Sequence, residues 1–557
     1  MSQLLKDIKY FWKHRCFSVG IPLMMVFSYV TLLLNPTVGV DDTAFKIYFV
    51  DGVSPATGRW CLFLINKIFP LAYNPFFVEI VGLAFFCLSV TLWCIVFYRI
   101  VGDKISVFAY TIIGGVMLSS PILSEIVTYY LQNGIYLGYG VTALAVMLLI
   151  ETFRTERNDW KGRMPLNAAS GALLTAALGF YESFMIVFMM AAVMSFLLIR
   201  ATDCGSYRAR PLEWVRNTLI VCILGMMFRE IITRILIALF HLEGQMKVLK
   251  NNGMGDILGN LAGWFSDEEQ MKGFLYILKE FLVKYYFNAV VYAPVMILVL
   301  ALAVSGIWSL IKALKKKDGW VLAAWVGILL LPWLLPVIEG VATYYRSSQY
   351  IPLLTAFAVL IAAWELKNVR WKGVRCAALF FAFLLLYQQG YEMNKWLYVD
   401  AMKYEDAKRT MDNVALYLQA NVDTDKPVCV VGSYQASGDV LSDVYCPAYS
   451  KKYVIISYLV RGLDEGIFEK YDSERGYAAA ETPRLSLIKW GATAFYGFDR
   501  ELIKYWKTQG FDFVEDGNQA HYEQAKEFMA DGPAWPRAGS VVELEDYIIV
   551  NFGNHEQ

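Results

Sequence analysis

The sequence predicts a polytopic, all-α membrane body followed by a small α/β domain, and three observations carry that prediction. The chain of 557 residues is 57% hydrophobic and 15% aromatic with only 18% charged residues, where soluble domains carry about 25%. The missing charge is concentrated, because apolar runs of bilayer-crossing length recur along residues 1–389. From 390 to 557 the apolar runs shorten to strand length and charged residues return between them. Basic and acidic residues balance at 50 each, so nothing points to a nucleic-acid partner.

The first apolar run follows a basic stretch, "MSQLLKDIKYFWKHR", and ends without a small-residue cleavage site, so it is read as an uncleaved span. Eleven spans are expected, at 17–34, 75–97, 106–127, 135–151, 165–180, 183–199, 217–240, 286–311, 320–338, 350–365 and 374–389. Connections 1–16, 98–105, 152–164, 200–216, 312–319 and 365–375 are rich in Lys and Arg. The alternate ones, 35–74, 241–285 and 338–349, are poor in them for their length. Positive charge is retained in the cytoplasm, which places the N-terminus there. An odd number of spans then puts 390–557 outside, together with loop 35–74. Nucleotide-activated substrates are cytoplasmic. A site on the outer face would therefore draw its activated substrate from the membrane itself.

In the tail, "KPVCVVGSY", "KYVIISYLV", "RLSLIKWGATAFYGF" and "GSVVELEDYIIVNF" read as strands and "YEDAKRTMDNVALYLQA" as a helix. Cys429 and Cys446 can pair there, since an extracytoplasmic setting permits disulfides.

Polar residues at the outer ends of the spans need an account. Asp41 and Asp42 stand side by side in the first loop, ahead of Arg59. Apolar residues around Phe45–Phe49 and Trp60–Phe69 predict two short amphipathic helices at the interface. Those helices would hold the two carboxylates at headgroup level; the plainer reading is surface decoration after a span. Glu125 lies near the outer end of the third span, behind a kink expected at Pro121. Tyr181, Glu182 and Ser183 interrupt the apolar residues between the fifth and sixth spans. An acid there is either exposed at the surface or functional.

The seventh span carries Arg229, Glu230 and Arg234 in an otherwise apolar run. Charge in lipid costs about 3 kcal/mol for a central Arg, so these side chains are expected to face protein or a water-filled cavity. Glu230 and Arg234 can pair four residues apart. Arg229 is left over, and a guanidinium fork suits a phosphate. Arg346, bracketed by Tyr344, Tyr345 and Tyr350, is the sole basic residue of the loop between the ninth and tenth spans. P-loop, dinucleotide-binding and HExxH signatures are absent from the sequence.

The stretches "VGVDDTAF…GRW", "LGFYESF" and "PAWPRAGSVVELEDYIIVNFG" make the chain resemble bacterial membrane glucosyltransferases of the O-antigen-modifying glucosyl transferase II family. The resemblance implies a GT-C type fold in the bacterial inner membrane and an active site on the outer face. It further implies a polyprenyl-phosphate-linked sugar donor, glucose by family, and a cell-surface polysaccharide or its lipid-linked precursor as acceptor. In such enzymes the catalytic acid sits in the first outer loop, which here means Asp42 or Asp41.

The residues read by themselves meet that chemistry. A carboxylate can take the proton of the attacking hydroxyl, and Arg229, Arg234 and Arg346 can stabilise the departing phosphate. Tyr181, Glu182, Glu125, Tyr345 and Arg59 complete the expected substrate-binding set, with membrane lipids around the body. Asp41 and Asp42 can alternatively hold Mg²⁺ or Mn²⁺, which favour oxygen ligands. Two other classes share the lipid carrier. A flippase calls for matched broken helices in repeated halves, which this sequence lacks, and a polysaccharide polymerase or ligase can dispense with an acidic pair in the first loop.

Overall fold

The computed structural model describes residues 2–35, 55, 57–68, 75–127, 134–155, 160–202, 206–208, 210–242, 318–335, 347–367, 369–434, 490–491 and 500–553, with 271, 275 and 311 in isolation. It divides into two compact units, one holding most of residues 1–396 and the other most of 397–557.

The first unit is helical. Its elements are α1 (Ser2–Lys13), α2 (Arg15–Leu34), α3 (Trp60–Ile68), α4 (Pro75–Val101), α5 (Val107–Leu118), α6 (Gly134–Glu151), α7 (Trp160–Phe180), α8 (Phe184–Thr202), α9 (Pro211–Leu239), α10 (Gly319–Leu330) and α11 (Tyr350–Leu366). The fifty-residue α12 (Lys372–Asn421) supplies its first half to this unit and its second half to the other. Among the described residues, α2, α4, α6, α8 and α12 are long and apolar enough to cross a membrane. Helix α9, 29 residues long, leaves Leu219, Ile223, Met226, Phe228, Ile231 and Ile235 exposed. An apolar surface of this kind belongs against lipid. The chain is a membrane protein.

Ten of the eleven expected spans coincide with described helices, and the eighth, 286–311, lies outside the described residues save for Ile311. The third differs in form. Helix α5 stops at Leu118, Ser120 is extended, and Pro121 opens a separate 3-10 turn. Proline lacks the N–H that would continue the helix and disfavours helical backbone in the residue before it, so the chain breaks where a kink was expected.

Small residues let the helices approach closely. A Cβ on Gly134 would lie 2.8 Å from Leu62 Cδ1, and one on Gly179 would lie 2.6 Å from Trp60 Cε2. Helix α3 is thereby packed against α6 and α7, with Leu62 and Phe63 buried.

The basic connections converge on one face. Arg99 at the end of α4 reaches Asp7 of α1 at 3.0 Å and Glu151 at the end of α6 at 3.5 Å. Lys104 donates to the Thr202 carbonyl at the end of α8 (3.2 Å), and Arg163 in the first turn of α7 pairs with Glu213 in the first turn of α9. The turn at Tyr181–Ser183 lies at the other ends of α7 and α8. It is about 28 Å away at 1.5 Å per residue over the 19 residues of α8.

The second unit is α/β. Strands β1 (Val428–Val431), β4 (Val541–Glu543) and β5 (Ile548–Asn551) form a sheet in the order β1-β5-β4, with β1 parallel and β4 antiparallel to β5. Strands β2 (Ser433–Tyr434) and β3 (Trp490–Gly491) pair antiparallel. Alternate residues enter opposite cores, as a period of two requires. Val428 and Val430 join Met411, Leu418, Trp506 and Phe513. Cys429 and Val431 join Ala525, Met529 and Tyr547. Those cores include residues of α13 (Arg500–Thr508) and α14 (Gln519–Phe528).

Two of the four expected tail strands are present in full register. "KYVIISYLV" lies outside the described residues, and of "RLSLIKWGATAFYGF" only Trp490 and Gly491 are described. Cys429 is buried in β1, and Cys446 lies outside the described residues.

Candidate active site

The turn between α7 and α8 is held tightly by its own backbone. The Tyr181 N–H donates to the Ala177 carbonyl at 3.1 Å and the Phe184 N–H to Tyr181 at 3.3 Å. Tyr181 thus takes part in both bonds, only Glu182 and Ser183 lie between it and Phe184, and the backbone of the turn is fixed. Arg59, immediately before α3, meets Glu182 with two donors, Nη2 to Oε1 at 2.9 Å and Nε to Oε2 at 3.4 Å. Its guanidinium carbon also stands 4.4 Å from the centre of the Tyr181 ring. The fork and the ring fix the Arg59 head group in orientation.

Arg229 completes the cluster from α9. Its Nη2 donates to the Thr57 carbonyl at 3.2 Å. The guanidinium packs directly on Gly58, whose φ of +81° suits glycine and whose lack of a Cβ leaves room for Arg229. The Arg229 Nε is buried and has no hydrogen-bond partner among the described residues. Among the described residues, two guanidiniums meet one carboxylate beside the turn. Burial by itself raises the Glu182 carboxyl, but the charge of Arg59, its hydrogen bonding and the charge of Arg229 prevail. They hold it down at about 2, from an ordinary 4.5.

The Tyr181 hydroxyl stands 3.5 Å from Ser347 Oγ, which brings in the segment ahead of α11. Beside it the Tyr139 hydroxyl donates to the Gln349 carbonyl. Ser347 is the residue after Arg346, which itself lies outside the described residues.

Of the expected site residues, the structure brings Arg59, Tyr181, Glu182 and Arg229 together. Arg234 turns elsewhere. It pairs with Glu230 at 2.7 Å, on a side of α9 where both side chains are exposed, 77% for Arg234 and 53% for Glu230. The helix advances about 100° per residue, so Arg229 and Arg234 point about 140° apart. The expectation that both face protein or a cavity holds only for Arg229, and the exposed pair lowers its own cost by mutual neutralisation. Asp41, Asp42, Tyr345 and Arg346 lie outside the described residues, as does the side chain of Glu125. No three His, Cys, Asp or Glu side chains come together as a metal site among the described residues.

Two participants had no spacing cue in the sequence. Ser347 reaches Tyr181 across 166 positions and Thr57 reaches Arg229 across 172. Apart from that cluster, Glu79 near the start of α4 is a buried acid, 2% exposed. Its signal was available, a lone acid in the apolar stretch "FFVEIVGLAFF".

The chain matches no curated protein and no solved structure. A family model described as Glucosyl transferase GtrII matches residues 30–363, more than half of the 557. That span includes the first loop, the Arg59–Glu182 pair, Arg229 and Ser347. The chain therefore belongs to the glucosyl transferase GtrII family, glycosyltransferases of O-antigen modification.

Proposed function

We propose that this protein transfers glucose from a polyprenyl-phosphate carrier to a cell-surface polysaccharide or its lipid-linked precursor, on the outer face of the bacterial inner membrane. The observation that carries the reading is the positive cluster at the α7–α8 turn, where Arg229 keeps an unused buried donor beside the Arg59–Glu182 fork. A phosphate arriving on a lipid suits such a cluster, since charge-assisted bonds from a guanidinium match phosphate oxygens. Arg346, one residue before Ser347, adds a third cation. Arg234, on the exposed side of α9, meets the carrier from the lipid.

The chemistry is a single displacement. The acceptor hydroxyl oxygen bonds to the anomeric carbon as the bond from that carbon to the phosphate oxygen breaks. The configuration inverts. Asp42, or Asp41 beside it, takes the hydroxyl proton as general base, and the departing polyprenyl phosphate carries away the electron pair. Arg229 and Arg346 stabilise the charge that grows on it. The remaining aspartate orients the acceptor or shares a Mg²⁺ or Mn²⁺ ion with the base. Tyr181, buried beneath the Arg59 guanidinium, positions that cation, Tyr345 offers a ring face to the sugar, and Glu125 serves as a further acid of the binding set.

Turnover of polyprenyl-phosphate glucose with polysaccharide acceptors by the purified protein tests the reading. Asp42→Asn is expected to lower turnover by about 10²–10⁴-fold while carrier binding is retained. Full turnover in both Asp42→Asn and Asp41→Asn would remove the base assignment. Turnover of a different lipid-linked hexose in preference to glucose would reassign the donor.

A further inference from the structure

Helix α1 has three sides. One is docked on the bundle: Phe11 is fully buried, Asp7 is 5% exposed, and Tyr10 stacks on Tyr98 with ring centres 5.1 Å apart. The Tyr10 hydroxyl donates to Asp103 at 2.6 Å, while Arg99 holds Asp7 at 3.0 Å. A second side is apolar and open, with Leu5 53% and Trp12 37% exposed. The third carries Lys6, Lys9 and Lys13, all exposed, at the three- and four-residue spacing that lines one helical stripe. None of the three has an ion-pair partner among the described residues.

The position of α1 is constrained. Only His14 separates it from α2, a helix long enough to cross the bilayer, so α1 lies at the membrane boundary. Its only acid, Asp7, is turned inward and neutralised by Arg99. The outward charge is therefore entirely positive, and it adjoins an indole and a leucine. This pairing of a basic stripe with an apolar stripe is what a helix lying in a headgroup layer presents.

We propose that α1 is a docking strip for anionic phospholipid headgroups, with Leu5 and Trp12 set into the acyl boundary and Lys6, Lys9 and Lys13 against lipid phosphates. A basic residue near an anionic surface strengthens attachment by about fivefold. Neutralising three exposed lysines leaves the docked side untouched.

The test compares wild type with a Lys6→Gln, Lys9→Gln, Lys13→Gln variant after exchange into detergent containing phosphatidylglycerol or phosphatidylcholine, counting retained lipid by native mass spectrometry. Wild type is expected to retain phosphatidylglycerol preferentially, and the variant to lose that preference on the order of 10- to 100-fold with an unchanged unfolding temperature. Equal retention of phosphatidylglycerol by the two proteins overturns the proposal. So does a wild type that retains both lipids alike, which would leave the stripe for a protein partner. A nitroxide at Leu5→Cys in nanodiscs supplies a second reading. Oxygen accessibility typical of lipid supports the apolar contact, and full accessibility to a water-soluble relaxant overturns it.

Discussion

The pairing of Arg59 with Glu182 joins residues 123 positions apart at the centre of the candidate site. Its pH dependence has a definite sign. The folded carboxyl is held near 2, below its ordinary 4.5, so any stability the pair adds is fully present above about pH 4.5 and disappears as pH falls toward 2. Both partners keep some solvent contact, 23% and 37%, which limits the contribution to about 1 kcal/mol or less. Detergent-solubilised wild type and Glu182→Gln are expected to differ by a constant small amount in unfolding midpoint from pH 6 to 8. The two should converge below pH 4. A gap that widens on acidification would contradict the pairing. Arg229→Gln is expected to lower turnover of a polyprenyl-phosphate sugar by about 10²–10³-fold, the usual loss when a donor to developing charge is removed. The same variant should leave insertion unchanged, which a proteolysis pattern of the membrane fraction would check. The sequence marked Arg229, Tyr181 and Glu182 because a polar side chain in an apolar run demands a partner. It could not say which partner, because charge cost depends on residue type whereas pairing depends on distance in the fold.

At the level of the element, helix α3 depends on the absence of a side chain at Gly179. A Cβ there would come within 2.6 Å of Trp60 Cε2, so Gly179→Ala must displace either the indole or α7. Overpacking of this kind costs about 1–3 kcal/mol. Because Trp60 adjoins Arg59, it should also loosen the fork on Glu182. Thermal unfolding of Gly179→Ala should show the destabilisation, and turnover should fall more than stability does. The helices themselves were legible as apolar runs of sufficient length. The break between α5 and Pro121 was half legible: proline announced an interruption, and only the extended Ser120 showed that the helix stops. The length of α12 was less visible, because its apolar first half and its charged second half read as different segments of sequence. Backbone hydrogen bonding does not respect that change in composition.

For the whole molecule, two features of arrangement matter. The basic connections gather on one face of the helical unit while the Arg59–Glu182 turn lies at the far ends of α7 and α8. Lys161, exposed in the first turn of α7, and a cysteine placed at residue 42 are therefore expected on opposite sides of the membrane. An impermeant thiol reagent should label Asp42→Cys in intact cells and Lys161→Cys only after lysis. Labelling in the reverse order would place the site on the cytoplasmic side and remove the proposal of a lipid-delivered donor. The second unit has a core of its own around Trp506, which is fully buried and donates from Nε1 to the Met411 carbonyl at 2.9 Å. Trp506→Ala should cost about 3–5 kcal/mol of that unit's stability, read as protease sensitivity confined to residues after 397. The sequence by itself determined that this is a membrane protein of many helices, that its tail is built differently, and that acids and arginines at certain span ends require explanation. Those properties are local, because hydropathy and the cost of a charge in lipid are summed residue by residue. Only the tertiary structure decided that Arg59 binds Glu182, that Arg229 turns inward to Thr57 and that Arg234 does not. Such choices rest on helix phase and on close approach between segments more than a hundred residues apart, and neither is written in any single stretch of the chain.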